Sequence, residues 1–181
     1  MATPELAPTT GFYSPSTEIA VTGVIGPEGS FYVARKTAFR DRNPVPYTLK
    51  LPTSKGVITI PHLGGTLTMH GRDTRIHVTD YPIGDTLLVY STAEIFTWQK
   101  YEDKTIAVMY GAADETHELL IKRNSMFGKA SPDVKTKQEG MYMYAQWKPT
   151  MAHQTIQVGD DLYIYLVGKS TVSSKTAQSV N

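Results

Sequence analysis

Apolar residues recur at every second position in the stretch from Val57 to Trp98, VITIPHLGGTLTMHGRDTRIHVTDYPIGDTLLVYSTAEIFTW. Successive side chains of a β-strand point to opposite faces, so a period of two places one set of residues on a buried face. Turn residues such as glycine and proline interrupt the alternation at short intervals. The stretch therefore predicts four or five short strands that bury their apolar faces by pairing into a sheet.

The rest of the chain continues this pattern of short strands and turns. Apolar runs of strand length occupy residues 105–110 and 117–122, and the segment MYMYAQW is apolar on both faces, which is typical of a strand buried on both sides. Gly159-Asp160-Asp161 connects two alternating runs and predicts a β-hairpin. About a dozen or more strands, at a spacing of roughly 8 to 12 residues, predict an all-β fold with little or no helix. We expect an antiparallel multi-stranded sandwich or barrel-like domain.

The same pattern divides the chain into three parts. Residues 1–17 contain three prolines among threonines and serines, and they predict an extended N-terminal arm. Residues 18–168 carry the predicted strands and form the all-β domain. Residues 169–181, KSTVSSKTAQSVN, show no apolar periodicity and predict a loose C-terminal tail. A basic segment followed by an apolar one is missing at the N-terminus, so we expect no signal peptide in this chain.

Composition and charge narrow the function classes. The 181 residues include 18 basic and 17 acidic side chains, a formal net charge of +1, which provides no excess positive charge to attract nucleic acid or anionic lipid. No apolar run reaches the length of about 18 residues that a membrane-spanning helix requires. The chain contains no cysteine, so cysteine content does not indicate a compartment. We expect neither a nucleic acid nor a membrane as partner.

Glu94 is the first candidate for acid–base chemistry, because it lies between apolar residues of a predicted strand. A glycosidase needs two carboxyl groups on either side of one bond. Ion pairs in β-proteins often imitate such sites, so we interpret Glu94 as a strand-edge carboxylate paired with Lys or Arg.

The run Asp114-Glu115-Thr116-His117-Glu118 is the densest group of metal-ligating side chains. It lacks the His-Glu-x-x-His spacing that places two imidazoles on one helix face, so we interpret it as a solvated turn. His62, His70 and His77 also lie close in sequence, and we expect scattered imidazoles rather than a site. The residues therefore predict no catalytic, cofactor-binding or metal-binding position.

Aromatic side chains are the candidates for binding. A flat ring matches the apolar face of a pyranose, but aromatic residues are also among those that sheets bury most. The run Trp98-Gln99-Lys100-Tyr101 is the one cluster with an exposed pattern, and an apolar patch there suits contact with a neighbouring domain. Trp98, Tyr101 and Trp147 are our candidates for carbohydrate or interdomain contact.

Several uninterrupted strings follow one another in a fixed order between residues 18 and 168. They are YTLKLPTS from Tyr47, TIPHLGGTLT from Thr59, GRDTRIHVTDY from Gly71, YSTAEIFTW from Tyr90, VMYG from Val108, HEL from His117 and QVGD from Gln157. In these strings the chain resembles the second domain of fungal-type β-galactosidases of glycoside hydrolase family 35.

The resemblance implies a place in a larger, extracellular enzyme that hydrolyses terminal β-linked galactose with retention, using two glutamates on a TIM barrel. Neither glutamate motif has a counterpart in this chain. The predicted all-β domain also leaves no room in the chain for a barrel of about 200 residues or more. The resemblance thus implies a non-catalytic structural domain, without a cofactor, that packs against other domains of its parent and self-associates when isolated. The alternative is a carbohydrate-binding module that contacts galactosides through surface Trp or Tyr.

Overall fold

The structure, a computed structural model, describes residues 3–4, 10–38, 40–123 and 127–169. In chain order its strands are β1 Thr3–Pro4, β2 Ile19–Ile25, β3 Ser30–Lys36, β4 Val45–Tyr47, β5 Leu49–Thr53, β6 Gly56–Ile60, β7 Leu67–Met69, β8 Thr74–Ile83, β9 Thr86–Ser91, β10 Glu94–Tyr101, β11 Lys104–Gly111, β12 His117–Lys122, β13 Phe127–Ala130, β14 Lys135–Glu139, β15 Tyr142–Trp147, β16 Gln154–Val158 and β17 Leu162–Gly168. In this part of the chain, a helix with the length and apolar character of a membrane span is not found.

The strands form two large sheets and two ribbons. The eight-stranded sheet has the spatial order β1-β2-β3-β8-β9-β12-β15-β14, and the five-stranded sheet has the order β10-β11-β17-β16-β13. The ribbons are β4-β7 and β5-β6. The predicted all-β sandwich is confirmed, and the stretch from Val57 to Trp98 forms β6 to β10 as the alternation indicates.

Apolar side chains fill two cores, one on each face of the eight-stranded sheet. In β12 the alternation directs Leu120 to the first core, which the two ribbons cover. Leu119 and Ile121 point to the second core, which the five-stranded sheet covers. Because the middle strands β9, β12 and β15 are buried on both faces, they are apolar at successive positions, as MYMYAQW predicted. The domain therefore consists of three layers.

One strand pair differs from the expected antiparallel arrangement. β11 and β17 run parallel, with Thr105 opposite Leu162 and Gly111 opposite Gly168. Parallel neighbours require a long crossover, and here the chain between them forms β12, β14 and β15 of the eight-stranded sheet and β13 and β16 of the five-stranded sheet. The predicted hairpin at 159–161 is confirmed, since β16 and β17 pair directly across it and Gly159 has a φ of +60°, in the region that favours glycine.

Some edge strands were missed by the hydrophobic pattern. β13 and β14 lie in a polar part of the sequence, and every residue of β14 is exposed. Both are outermost strands of their sheets, so a single flank pairs with a neighbour and few apolar residues are needed. Apolar periodicity detects strands that bury one face. These two strands bury too little apolar surface to produce that periodicity.

The N-terminal part of the chain contacts the domain. The backbone of β1 pairs with β2, and Tyr13 is 5% exposed within the first core, where its ring lies edge-on to Tyr32 at 5.1 Å. The division of the chain at residues 17 and 168 stays a prediction. Apart from Lys169, the predicted tail lies outside the described residues.

Replacing a residue of β12 tests the two-core arrangement. Leu120 is fully buried in the first core, so Leu120→Ala leaves a cavity and is expected to lower the free energy of unfolding by about 2–5 kcal/mol. Val57 is 73% exposed, and Val57→Ala is the matched control, with an expected change within about 0.5 kcal/mol. Urea unfolding followed by circular dichroism measures both. Equal effects of the two substitutions would contradict the layer assignment.

Candidate functional site

A groove of about 390 Å³ lies between the outer edge of β10 and the face of β3 and β8. We call it the β8–β10 groove. Its lining residues are Phe31, Ile76, Val78, Tyr81, Glu94, Ile95, Phe96, Thr97, Trp98 and Tyr110.

The groove exists because the two sheets differ in width. The five-stranded sheet ends at β10, whereas the eight-stranded sheet continues through β8, β3, β2 and β1. On the ribbon side of β3, Tyr32 and Ala34 are fully buried, but Phe31 on the opposite side is 36% exposed. Ile76 of β8, which the alternation assigned to the core, is 44% exposed for the same reason. The described residues therefore leave the apolar face of the wider sheet uncovered beside β10.

Aromatic rings form the walls of the groove. Phe31 packs edge-on against Tyr81 with ring centroids 5.6 Å apart, and Phe96 packs edge-on against Tyr110 at 6.3 Å. The indole Nε1 of Trp98 donates a hydrogen bond of 3.3 Å to the Tyr81 hydroxyl. These contacts hold the rings in place without a ligand.

Glu94 lies at the point where the chain passes from one sheet to the other, and it is 7% exposed. Its Oε1 accepts a hydrogen bond of 3.0 Å from the backbone N–H of Ile76, and its Oε2 lies 3.4 Å from the Nζ of Lys169. Lys169 also lies over the ring of Tyr110 at 5.6 Å, and burial together with Glu94 raises the pKa of that tyrosine. The prediction that Glu94 pairs with a basic side chain is confirmed.

The three predicted aromatic contact residues lie in different environments. Trp98 is half-buried in the β8–β10 groove, and Tyr101 is 53% exposed at the end of β10. Trp147 is 2% exposed, so its environment differs from that of the other two candidates. It packs in the second core because β15 is buried on both faces, and its ring lies 6.0 Å from that of His117.

A second hollow of about 460 Å³ lies towards the other end of the uncovered face. It is polar, and its lining residues are Ala20, Arg35, Lys36, Thr37, Gly71, Arg72, Asp73 and Thr74. Lys36 is buried and donates hydrogen bonds from Nζ to the carbonyl oxygens of Asp41 and Asn43 at 2.8 and 2.6 Å. The amine therefore holds a loop in place and is not directed at a ligand.

The interpretation of residues 114–118 as a solvated turn was wrong for most of its side chains. Asp114 is exposed and lies 3.6 Å from His70, but Glu115 is 4% exposed and His117 and Glu118 are fully buried. Glu115 accepts two hydrogen bonds from the guanidinium of Arg75, at 3.0 and 3.2 Å, and one from the backbone N–H of Thr68. A buried carboxylate needs such partners, and this sequence supplies them from β7 and β8.

Glu118 attaches the loop after β6 to the middle of the eight-stranded sheet. Its carboxylate accepts hydrogen bonds from the backbone N–H groups of His62 and Leu63, the latter at 2.8 Å. It also accepts one of 3.0 Å from the Tyr90 hydroxyl, whose pKa is raised by burial and by this carboxylate. The carboxylates of Glu115 and Glu118 are thus both bound by groups of the domain itself.

The histidines are dispersed, as expected. His77 is fully buried, and its Nε2 lies 3.0 Å from the Tyr47 hydroxyl. Burial, and secondly the charge of Arg75, lowers the pKa of His77 from its ordinary value of 6.5 to about 3. Burial also lowers the pKa of His117. Among the residues that the structure describes, no group of three or more metal-ligating side chains is found.

Arg75 is the important residue that the sequence did not single out. The alternation in β8 placed Ile76 and Val78 inside, so Arg75, His77 and Thr79 belonged to the opposite face. In the structure that opposite face is also covered, by the ribbons, and all three of its side chains are buried. The spacing of Arg75 and His77 places both side chains on the same face of β8. That spacing indicates a buried polar pair only when the second face of the sheet is known to be covered.

The three-layer sandwich and its aromatic groove define an all-β domain in which part of one sheet face is exposed among the described residues. A family model described as "Beta-galactosidase, domain 2" matches residues 1–174 of the chain. The chain belongs to this family, which confirms the resemblance carried by the strings from Tyr47 onwards.

Two relatives show how the domain is distributed. Beta-galactosidase A of Aspergillus niger is 41% identical over 167 residues, which cover 90% of this chain and 16% of the relative. Beta-galactosidase A of Aspergillus oryzae is 41% identical over 168 residues, with the same two shares. The chain thus spans about a sixth of the length of these relatives.

Breaking the buried ion pair tests its role. In Glu115→Gln the guanidinium of Arg75 loses its charged partner inside the domain, and we expect a loss of about 3–5 kcal/mol in the free energy of unfolding. The pair between Lys100 and Asp85 is exposed, so Asp85→Asn is the control, with an expected change below about 1 kcal/mol. Denaturant titration at neutral pH compares them. Similar values would show that Arg75 is solvated.

The pH dependence of stability follows from His77. Its pKa is 6.5 in the unfolded chain and about 3 in the folded domain, so below pH 6.5 the unfolded state binds a proton that the folded state does not. Stability is therefore expected to fall between pH 6.5 and about 3, by up to about 1.4 kcal/mol per pH unit from this residue. Unfolding titrations at pH 7 and 5 should show a smaller difference in His77→Gln than in the unsubstituted chain. Identical differences would contradict the assignment.

Proposed function

We propose that the chain is a non-catalytic structural domain of a secreted, retaining β-galactosidase. Its family and the names of its relatives support a β-galactosidase as the parent polypeptide. The observation that carries the non-catalytic assignment is that the buried carboxylates of the described residues are bound within the domain. Catalysis then belongs to other parts of the parent, for which the resemblance implies a TIM barrel.

Each of these carboxylates has a structural task. Glu115 neutralises Arg75, Glu118 holds the backbone of His62 and Leu63, and Glu94 accepts the N–H of Ile76. A glycosidase acid or nucleophile must instead face a substrate from an open pocket. All three carboxylates are bound by groups of the domain itself, and Glu94, the one that lines the β8–β10 groove, has no second carboxylate beside it in that lining.

The open surfaces also support the proposal. A retaining glycosidase holds two carboxyl groups about 5–5.5 Å apart across the scissile bond. Among the described residues, those that line the β8–β10 groove include one carboxylate, Glu94, and those of the second hollow include one, Asp73. Neither lining set contains a carboxylate pair that is able to divide the roles of acid and nucleophile.

A direct assay tests the proposed function. The purified chain is incubated with 4-nitrophenyl β-D-galactoside, with the Aspergillus niger enzyme as positive control. The expected rate equals that of buffer, because no pair of carboxyl groups converges on either hollow. Turnover that disappears in Glu94→Gln but persists in Asp73→Asn would refute the proposal. The glutamine retains an oxygen that accepts the Ile76 N–H, so a loss of fold does not explain that result.

A further inference from the structure

We propose that the β8–β10 groove binds an extended apolar segment from another domain of the same β-galactosidase polypeptide, and that this segment adds as a strand to β10. The inference rests on the proposed function, since it supplies the contact through which a structural domain acts. It assigns that contact to one edge of one sheet.

The chemistry of the sheet edges is the first argument. An outermost strand presents unpaired N–H and C=O groups, and proteins protect such strands from further pairing with charged side chains, especially lysine. β14 has this protection, since its five residues KTKQE are all exposed and Lys137 pairs with Glu139 at 2.6 Å. β10 has the sequence EIFTWQKY, in which Phe96 and Tyr101 are exposed and Lys100 stands at the far end. Among the described strands β10 pairs on one side, with β11, so its edge suits strand addition.

The uncovered sheet face is the second argument. A strand that pairs with β10 widens the five-stranded sheet in the direction of β3 and β8. Its inward side chains then lie over Phe31 and Ile76, which are 36% and 44% exposed among the described residues. Removal of such apolar surface from water favours the complex. One added strand therefore satisfies both the backbone of β10 and the apolar face beside it.

The polar groups of the groove favour a polypeptide over a sugar. A saccharide site needs several convergent donors and acceptors that are free to bind hydroxyl groups. Here the Trp98 indole N–H is bonded to the Tyr81 hydroxyl, and the Glu94 carboxylate is shared between Ile76 and Lys169. The remaining lining is mostly aromatic and aliphatic. Apolar side chains on an extended backbone match this surface.

The path of the chain favours a partner within the same polypeptide. β17 ends at Gly168, and the next residue, Lys169, places its Nζ on Glu94 and over the Tyr110 ring. Lys169 thus lies beside the groove. In the Aspergillus relatives about five-sixths of the polypeptide lies outside the matched segment. A segment tethered close to its site has a high effective concentration and needs little intrinsic affinity.

The absence of cysteine allows a clean test by thiol labelling. Thr97→Cys places a reporter in the groove, and Lys137→Cys places a control reporter on β14. Both are made in the isolated chain and in a chimera in which the chain replaces the matching segment of Aspergillus niger beta-galactosidase A. Maleimide labelling is read by mass spectrometry of the reporter peptide. We expect the groove thiol to react about tenfold or more slowly in the chimera, because a covered side chain reacts through local opening, and the control thiol to react equally in both.

The outcomes separate this inference from the proposed function. Equal labelling of the Thr97→Cys thiol in the isolated chain and in a chimera that hydrolyses nitrophenyl galactoside would overturn the groove assignment and leave the proposed function standing. Failure to recover an active chimera would count against the proposed function. In that case short overlapping peptides from the rest of the Aspergillus enzyme are tested against the isolated chain.

The peptide measurement decides the inference on its own. Binding of an apolar peptide that is lost in Phe96→Ser and retained in Lys137→Ser supports it. Absence of any peptide whose binding depends on Phe96 overturns it. Saturable heat of binding with galactose or galactobiose, lost in Trp98→Ala, would also overturn it in favour of a saccharide site.

Discussion

The structure depends on one constraint, namely that the middle strands of the eight-stranded sheet are apolar on both faces and must be covered twice. Two small ribbons cover one face and a five-stranded sheet covers the other. Because the second cover is narrower than the sheet beneath it, four strands extend past β10 and leave Phe31 and Ile76 in contact with solvent. The position of the groove thus follows from the different widths of the two sheets. The aromatic residues there belong to an apolar surface that the described residues cover only in part.

The first core includes charged groups, which is unusual for an interior this apolar, and their arrangement explains why they are tolerated. Arg75 and Glu115 neutralise each other, and both also bond the backbone of Thr68 in β7, so the ion pair fixes the ribbon β4-β7 to the sheet. Glu118 does the same for the loop after β6. Ribbons of two strands have little stability alone, and these buried acids specify where each is placed.

The sequence predicted most of the fold, because nearly every strand that buries a face carries the period of two. The sequence could not show whether one face or both faces of the eight-stranded sheet were covered by other layers, and this explains the errors. Ile76 was assigned to a core that stops short of it, while residues 115, 117 and 118 were assigned to solvent although all three are buried. Of the predicted contact residues, Trp98 and Tyr101 lie on the exposed strand β10 and Trp147 does not reach the surface. The same residue type is buried in one strand and exposed in the next, because the packing of the layers decides which face of a strand is covered. The local sequence pattern does not contain that information.

The two tryptophans of this chain lie in contrasting environments, one buried and one at the groove. Their fluorescence therefore reports on two different parts of the domain. Trp147 is sealed in the second core against His117, so its emission reports whether the layers are assembled. Trp98 stands at the wall of the groove with its indole nitrogen on Tyr81, so its emission reports what lies above that wall. Removing either indole leaves one tryptophan, which can be excited at wavelengths that the eleven tyrosines do not absorb. One variant then reports on the interior and the other on the surface, without any added dye.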